Sequence, residues 1–303
     1  MTSTSGVLAA LALISICLVG GAAFRRFEVF PREAADVLNR FVIYVSLPAV
    51  VLRVVPALVW EPGLSVLVVT PWVSMIAGAA LVLALGRALR LSRDVVGALL
   101  LCVPLGNTSF LGFPMVSALL GPSAVRLAIL YDQLGSFLML ATYGFFVVAR
   151  YAGNETPSAK AMALRVARFP PFFALVVALL PLPHPPVIDA ILKPLGDTLV
   201  PLAVFAVGLK LELRVPRHRL PLALGLLAKM ALLPLVAVMI ARAFGAPREP
   251  RAVAILESAM PPMITAAVLA TMNGLAPELA TDLVAYGIVV SFATLPLVAS
   301  LVR

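Results

Sequence analysis

Long apolar blocks dominate this chain, and short polar segments separate them at a nearly regular spacing. A helix that crosses a membrane needs about 20 mostly apolar residues, because each residue adds about 1.5 Å and the hydrocarbon layer is about 30 Å thick. Blocks of this kind predict ten spans, over residues 7–23, 35–57, 65–87, 94–120, 122–149, 169–183, 187–209, 220–243, 251–272 and 279–302. The pattern therefore predicts an all-α membrane protein.

Composition and charge narrow the function class. Of the 303 residues, 62% are hydrophobic and 12% are charged, whereas a soluble chain carries about 25% charged residues. This excludes an ordinary soluble enzyme. The net charge of +9 comes from basic residues that stand singly or in pairs, which argues against a nucleic-acid partner. Cysteines inside apolar blocks and isolated histidines predict no metal site and no cofactor.

The basic residues also predict an orientation. The leader Met1–Gly6 has no Lys or Arg, and Arg25 and Arg26 follow the first block, which is the reverse of a signal peptide. Most other basic residues lie on odd-numbered connections, although the eighth connection disagrees. Because cytoplasmic loops are enriched in Lys and Arg, we expect an uncleaved first span with its N-terminus outside. The expected location is a bacterial inner (plasma) membrane.

The two halves of the chain resemble each other. Asp36 and Pro48 in the second block match Asp189 and Pro201 in the seventh, at the same spacing. Five spans per half would insert the second copy upside down, as in many secondary transporters. We therefore predict a first repeat over residues 1–150, a cytoplasmic connection over 151–168 and an inverted second repeat over 169–303. Chance similarity between apolar helices is the alternative.

The fourth and ninth blocks hold residues that interrupt helices. Proline and glycine break a helical hydrogen-bond ladder, and the predicted break residues are Pro104, Gly106, Gly112, Pro114, Pro261 and Pro262. Free backbone groups at such breaks bind ions or polar solutes near the middle of the membrane. Neutral polar residues at the same places extend the candidate substrate site, namely Asn107, Thr108, Ser109, Ser258 and Thr265. The alternative is that the prolines only kink helices.

Four charged residues lie inside the predicted spans: Asp132, Asp197, Lys229 and Glu257. Exposure to lipid would cost each several kcal/mol, so each should face protein or water. A structural pair between Asp197 and Lys229 is one interpretation. Burial favours the neutral form of a carboxyl group, so Asp132 or Glu257 could couple a proton to transport, or could bind Na⁺.

The residues Asn107-Thr-Ser-Phe-Leu-Gly-Phe-Pro114 resemble the crossover motif of the auxin efflux carrier family. Leu47-Pro48 is similar to that family's second span, and Met260-Pro261 to its ninth. The resemblance implies ten helices in two inverted five-helix repeats, with helices 4 and 9 broken and crossing. It also implies an elevator-type movement, Asn107 and Pro261 as the crossover residues, and Gln133 as a polar residue of the site.

These observations predict a secondary active transporter of a small organic anion, with a homodimer as the expected assembly. The alternative is a sodium- or proton-coupled symporter or antiporter, with the architecture of bile-acid symporters or cation/proton antiporters. A non-transporting receptor or assembly subunit is a weaker hypothesis, since no long polar domain is present. We expect no enzymatic activity, because no nucleophile, base and orienting group converge in the sequence.

Overall fold

The computed structural model describes residues 4–31, 33–56, 62–153, 169–180 and 185–302, together with positions 158, 160, 164 and 167. Most of the predicted connection 151–168 and the end of the sixth block, 181–183, lie outside the described residues. Within these ranges the regular structure is helical, and the only β-type pairing there is an isolated bridge. The prediction of an all-α fold is confirmed for this part of the chain.

Six helical stretches in the described residues are long and apolar enough to cross a membrane. They coincide with the second, third, fifth, seventh, eighth and tenth blocks, and they run over Ala34–Val54, Ser65–Ala88, Pro122–Ala152, Pro186–Lys210, Arg219–Ala243 and Pro277–Val302. The protein is therefore an integral membrane protein by this pattern. The count of ten spans and the inverted repeat stay predictions.

The α-helices follow in chain order. The first are α1 (Thr4–Arg26), α2 (Ala34–Phe41), α3 (Leu47–Val54), α4 (Ser65–Ala88), α5 (Arg93–Cys102), α6 (Phe113–Leu120), α7 (Val125–Tyr131) and α8 (Phe145–Ala152). Those that follow are α9 (Pro170–Ala178), α10 (Pro186–Asp197), α11 (Leu199–Lys210), α12 (Arg219–Leu227), α13 (Leu233–Ala243), α14 (Arg248–Ser258), α15 (Ile264–Met272) and α16 (Pro277–Val302). Short π-helical turns join several of them, so that α2 and α3, or α12 and α13, continue as one stretch.

The chain forms two compact units, and neither unit is one half of the sequence. The first unit takes Met1–Glu61, Ser109–Ile129 and Ala163–Leu211. The second unit takes Pro62–Thr108, Leu130–Met162 and Glu212–Arg303. Each unit therefore combines segments from both predicted repeats, because packing follows the apolar faces of helices and not their order in the chain.

In the first unit, α1 packs closely along α11. A Cβ on Gly21 would lie 2.4 Å from the Phe205 carbonyl oxygen, and one on Gly208 would lie 2.3 Å from the Leu18 carbonyl oxygen. Small residues allow helix backbones to approach each other, which is how membrane helices gain most of their packing energy. These two positions accept only glycine at the observed distance.

Two ion pairs tie the second block to the seventh in a reciprocal way. Asp36, at the start of α2, pairs with Lys210 at the end of α11, and Asp189, at the start of α10, pairs with Arg53 at the end of α3. The Arg53 Nε to Asp189 Oδ1 distance is 2.9 Å. Asp36 and Asp189 are the residues matched in the predicted repeat, but Arg53 and Lys210 are not at matched positions, so the two ion pairs leave the repeat a prediction.

The second unit has its hydrophobic core among α4, α5, α8, α12, α13, α15 and α16. Leu101, Leu105, Leu279 and Leu283 are fully buried there. A Cβ on Gly225 of α12 would lie 2.8 Å from a Leu283 methyl group. This tight core holds the two broken segments described below.

An arginine fixes the segment before α12 to α16 of the same unit. Arg214 Nε donates to Asp282 Oδ1 at 2.9 Å, and Arg214 Nη2 donates to the Glu278 carbonyl oxygen at 2.9 Å. The Tyr286 hydroxyl in turn donates to the Arg214 carbonyl oxygen at 2.8 Å. Asp282 is buried, so the guanidinium compensates a charge that lies away from water.

We expect Arg214→Ala to destabilise the protein by about 2 kcal/mol, because it leaves the buried Asp282 without its charged donor. Chemical unfolding in detergent micelles would measure this. Lys193→Ala is the matched control, since the Lys193–Asp197 pair is more than half exposed and exposed pairs contribute about 0.5 kcal/mol. Equal effects of the two substitutions would contradict the structural role of Arg214.

Candidate functional site

The helix of the fourth block is interrupted at Pro104 and Gly106. α5 ends at Cys102, the chain is non-helical from Pro104 to Asn107, and a π-helical turn from Thr108 to Gly112 leads into α6. Gly112 and Pro114, predicted to take part in the break, lie instead in helical turns. Pro114 stands in the first turn of α6, directly after the π-helical turn, and proline is common in the first turn of a helix.

The ninth block is interrupted at the matching place, and the two interruptions pair with each other. α14 ends at Ser258 and α15 begins at Ile264. Asn107 N donates to the Pro261 carbonyl oxygen at 2.8 Å, and Met263 N donates to the Leu105 carbonyl oxygen at 2.9 Å. Gly106 and Pro262 face each other in this antiparallel bridge. The unwound backbones thus satisfy each other where lipid could not.

Asn107 and Thr108 present their side chains at this pairing point, and both are buried. The Asn107 backbone is held by Pro261, whereas its side-chain Nδ2 has no hydrogen-bond partner among the described residues. The Thr108 hydroxyl donates to Asp132 Oδ1. Asn107 therefore offers a fixed donor that a solute could accept.

A π-helical turn from Asp132 to Phe137 positions two consecutive polar side chains in the second unit. Gln133 Nε2 donates to Asp132 Oδ2 at 2.8 Å, so both carboxylate oxygens of Asp132 accept hydrogen bonds. Trp72 Nε1 donates to the Leu134 carbonyl oxygen at 2.9 Å, and Leu134 belongs to this π-helical turn. Gln133 Oε1 is buried without a partner in the described part of the chain. Such turns occur frequently at functional sites.

Lys229 lies on a second π-helical turn, Ala228–Leu232, and is only 3% exposed. Its Nζ donates to the Ser258 carbonyl oxygen at 2.9 Å. Ser258 is the last residue of α14, where unpaired carbonyl groups carry partial negative charge. The ammonium group therefore sits against a half-helix end at the break in the ninth block.

Glu257 is fully buried one residue before that helix end. Neither carboxyl oxygen has a hydrogen-bond partner among the described residues. The carboxyl group interacts electrostatically with Asp132 and with Lys229. Two acids and one base thus share a buried site in the second unit, together with the donor of Asn107.

Substituting Gly106 should perturb this site through Lys229. A Cβ at Gly106 would lie 3.0 Å from Lys229 Nζ. We expect Gly106→Ala to displace the ammonium group and slow uptake several-fold, with a stability loss of about 1 kcal/mol. Uptake by proteoliposomes and unfolding in detergent would measure the two effects. Gly144→Ala is the control, because its Cβ would meet only leucine side chains; an equal loss of uptake there would refute the effect through Lys229.

The structure brings together most of the predicted site residues. These are Asn107, Thr108, Asp132, Gln133, Lys229, Glu257, Ser258, Pro261 and Pro262. Ser109 is only partly buried, and Thr265 is exposed on the first turn of α15. The buried cluster is therefore smaller than the predicted set.

Asp197 does not belong to this cluster. Its Oδ2 accepts a hydrogen bond from Lys193 Nζ at 2.6 Å on α10 of the first unit, and both side chains are more than half exposed. The predicted pair between Asp197 and Lys229 is wrong, since Lys229 binds the Ser258 carbonyl oxygen instead. The hydropathy pattern identified both residues as charges inside apolar blocks, but it could not specify their partners.

Three polar residues of the second unit were missed by the sequence reasoning. Thr70 and Ser74 of α4 are buried, and their hydroxyl groups have no partner among the described residues. Tyr131 is buried beside the π turn and interacts electrostatically with Glu257. Two hydroxyl residues four positions apart in an apolar block were the available signal, because that spacing places them on one helix face.

Comparison with known proteins decides the family. The family described as membrane transport protein matches residues 6–299. The chain belongs to this family. Its resemblance to the auxin efflux carriers, first seen in Asn107 to Pro114, is thereby confirmed.

Two relatives of this transporter-family chain show how far the similarity extends along it. It is 29% identical over 307 residues to an uncharacterised transporter of Methanothermobacter thermautotrophicus, covering 98% of this chain and 97% of the relative. It is 25% identical over 211 residues to an uncharacterised transporter of Methanocaldococcus jannaschii, covering 66% of this chain and 67% of the relative. The near-complete coverage of the first relative means that the similarity extends over both paired breaks.

Proposed function

We propose that this protein is a secondary active transporter that moves a small organic anion, in the simplest case a carboxylate, across the membrane. The observation that carries the proposal is the pairing of two helix breaks beside buried donors within one compact unit. Lys229 supplies a positive charge there, and Asn107 Nδ2 supplies a donor with no partner among the described residues. A carboxylate needs both, since charge-assisted hydrogen bonds are the stronger ones.

The proposed mechanism is alternating access of the elevator type. The division of the chain into two units, each drawn from both sequence halves, supports it, because such a movement needs two separately packed bodies. In this scheme the second unit carries the solute and the two predicted repeats are inverted. An N-terminus outside a bacterial plasma membrane and a homodimer complete the proposal, both from the sequence pattern and the family resemblance.

Uptake by the purified protein in proteoliposomes tests the proposal. A panel of radiolabelled mono- and dicarboxylates should include at least one that enters saturably and competes with its unlabelled form. Empty liposomes and a Lys229→Met variant serve as controls. Absence of saturable uptake for every carboxylate, with folded protein recovered from the same vesicles, would contradict the proposed function.

A second candidate is a sodium- or proton-coupled transporter, which the burial of both Asp132 and Glu257 favours. Pure cation exchange needs no anion site. It should depend on Asp132 or Glu257 and be unaffected by Asn107→Ala. Transport measured against pH and against Na⁺ in single variants separates the two candidates.

Pro261→Ala tests the role of the break itself. Alanine restores one N–H and frees the backbone at position 261, which loosens the break although Pro262 still interrupts the helix. We expect turnover to fall more than affinity, because the pairing with Asn107 would be disturbed. Initial uptake rates at several substrate concentrations separate the two quantities. Pro296→Ala in the continuous helix α16 is the control, and unchanged turnover in Pro261→Ala would show that the break only serves packing.

A further inference from the structure

The charge balance of the buried cluster leads to a more specific conclusion about Glu257. Asp132 and Glu257 are acids and Lys229 is a base, and all three are at most 3% exposed. With every group ionised the cluster would hold one uncompensated negative charge. Burying such a charge costs many kcal/mol, so a proton or a cation must compensate it.

Asp132 has the environment of an ionised carboxylate. The Thr108 hydroxyl donates to one of its oxygens and the Gln133 amide donates to the other, at 2.8 Å for Gln133. Donors on both oxygens stabilise the charged form. A neutral carboxylic acid would instead turn one oxygen into a donor, which the Gln133 and Thr108 donors would oppose.

Glu257 has the opposite environment. Both oxygens lack a hydrogen-bond partner among the described residues, and no part of the side chain is exposed. It lies in the last turn of α14, where the helix carbonyls already carry negative charge. A negative charge is therefore less favourable at Glu257 than at Asp132.

The neighbours of Glu257 also favour a proton over a metal ion. The Lys229 ammonium already occupies the Ser258 carbonyl oxygen at the end of the same helix, which repels a second cation and removes an oxygen ligand. Among the described residues, the titratable groups that interact with Glu257 are Tyr131, Asp132 and Lys229. Other charged groups of α4, α13, α14 and α16 lie at helix ends or pair with Arg214: Arg87, Arg242, Arg248, Glu249, Arg251, Glu278 and Asp282.

We propose that Glu257 is a proton-binding site, whose carboxyl group is neutral in the resting protein while Asp132 and Lys229 balance each other's charge. This names the coupling ion of the second candidate and joins it to the proposed anion transport, and it rests on those proposed functions only for the role of Glu257 in transport. Loss of the proton would create a buried negative charge beside the ammonium group. A transported anion would compete for the same ammonium group, so proton and anion are expected to move together.

Infrared spectroscopy of the purified protein tests the proton without any transported solute. At neutral pH the wild type should show a carboxylic acid C=O band that shifts in heavy water. Glu257→Gln should lose this band, and Glu278→Gln, at a partly exposed position of α16, should keep it. Alkaline solution should convert the band into carboxylate bands.

A labelled wild type keeps the test valid if a variant does not fold. Incorporating isotopically labelled glutamate should shift the band, and labelled aspartate should not. A band that follows aspartate, or no protonated carboxyl band at neutral pH, would overturn the proposal. So would a rise in thermal stability with Na⁺ relative to K⁺ that Glu257→Gln abolishes, since that marks a metal site.

The outcome separates from the transport proposal. A negative uptake panel with the expected infrared band would reject the organic anion and leave the proton site standing. Saturable anion uptake without the infrared band would support the organic anion and reject the proton site at Glu257. Glu257→Gln should also retain wild-type thermal stability, because glutamine resembles a neutral carboxyl group in size and polarity, and a large stability loss would contradict a neutral Glu257.

Discussion

Lys229→Met is expected to destabilise the protein by about 3–5 kcal/mol and to abolish anion uptake. Removing one partner of a buried charge pair leaves the other charge uncompensated in a medium of low dielectric constant. Lys229 is buried among Ser258, Glu257 and the backbone of Gly106, and methionine keeps its length while removing its charge and donors. Chemical unfolding in detergent micelles and proteoliposome uptake give the two readouts.

A matched control is available in the first unit. Lys210 forms an ion pair with Asp36, and both side chains are partly exposed. Lys210→Met should therefore change the unfolding free energy by at most about 1 kcal/mol. If both lysine substitutions cost the same, burial of Lys229 is not what makes it important.

Double variants identify the acid that balances Lys229. With a neutral Glu257, Asp132→Asn should restore much of the stability lost in Lys229→Met, because it removes the remaining charge. Glu257→Gln should restore little, because it replaces one neutral group by another. The coupling energy of each pair follows from a double-mutant cycle. Restoration by Glu257→Gln and not by Asp132→Asn would show that Glu257 is the ionised acid.

Asn107→Ala is expected to weaken the affinity for the transported anion about thirtyfold and to leave stability unchanged. A hydrogen bond to a charged group contributes about 2 kcal/mol, and about 1.4 kcal/mol corresponds to a tenfold change in affinity. The Asn107 Nδ2 donor has no partner in the described chain, so its removal breaks no internal hydrogen bond. The backbone bond to Pro261 is independent of the side chain and should persist.

Asn273→Ala provides the inverse pattern. Asn273 Nδ2 donates to the Leu269 carbonyl oxygen at 2.8 Å on the helix that follows the second break. Its replacement should cost about 1 kcal/mol of stability and leave the half-saturating anion concentration unchanged. Wild-type affinity in Asn107→Ala would remove Asn107 from the substrate site.

Much of the architecture was accessible from the sequence because it depends on local properties. Apolar block length predicted helices that cross the membrane, and the structure has six such stretches in its described residues. Proline and glycine predicted the interruptions near residues 104–106 and 261–262, since these residues act on their own backbone. The prediction that Gly112 and Pro114 take part in the break was wrong, since both lie in helical turns. Proline is also common in the first turn of a helix, so its presence alone does not mark an interruption.

The candidate site was accessible only as a set of residue types. The sequence does not distinguish among the four charged residues that lie in apolar blocks, Asp132, Asp197, Lys229 and Glu257. Three of them interact in the second unit, and Asp197 pairs with an exposed neighbour in the first. Hydropathy records that a charge lies in a span, but it does not record the helix face or the partner across the core.

The sequence by itself thus determined that this is a helical membrane protein of a transporter family, with two breaks and a few buried ionisable groups, because composition, periodicity and proline act locally. Only the tertiary structure decided that the two breaks hydrogen-bond to each other and that Lys229 binds the end of α14. It also decided that Asp132 accepts hydrogen bonds on both carboxylate oxygens, whereas the Glu257 oxygens have no partner among the described residues. Those differences arise from contacts between residues far apart in the chain, and the proposal that Glu257 holds the proton rests on them.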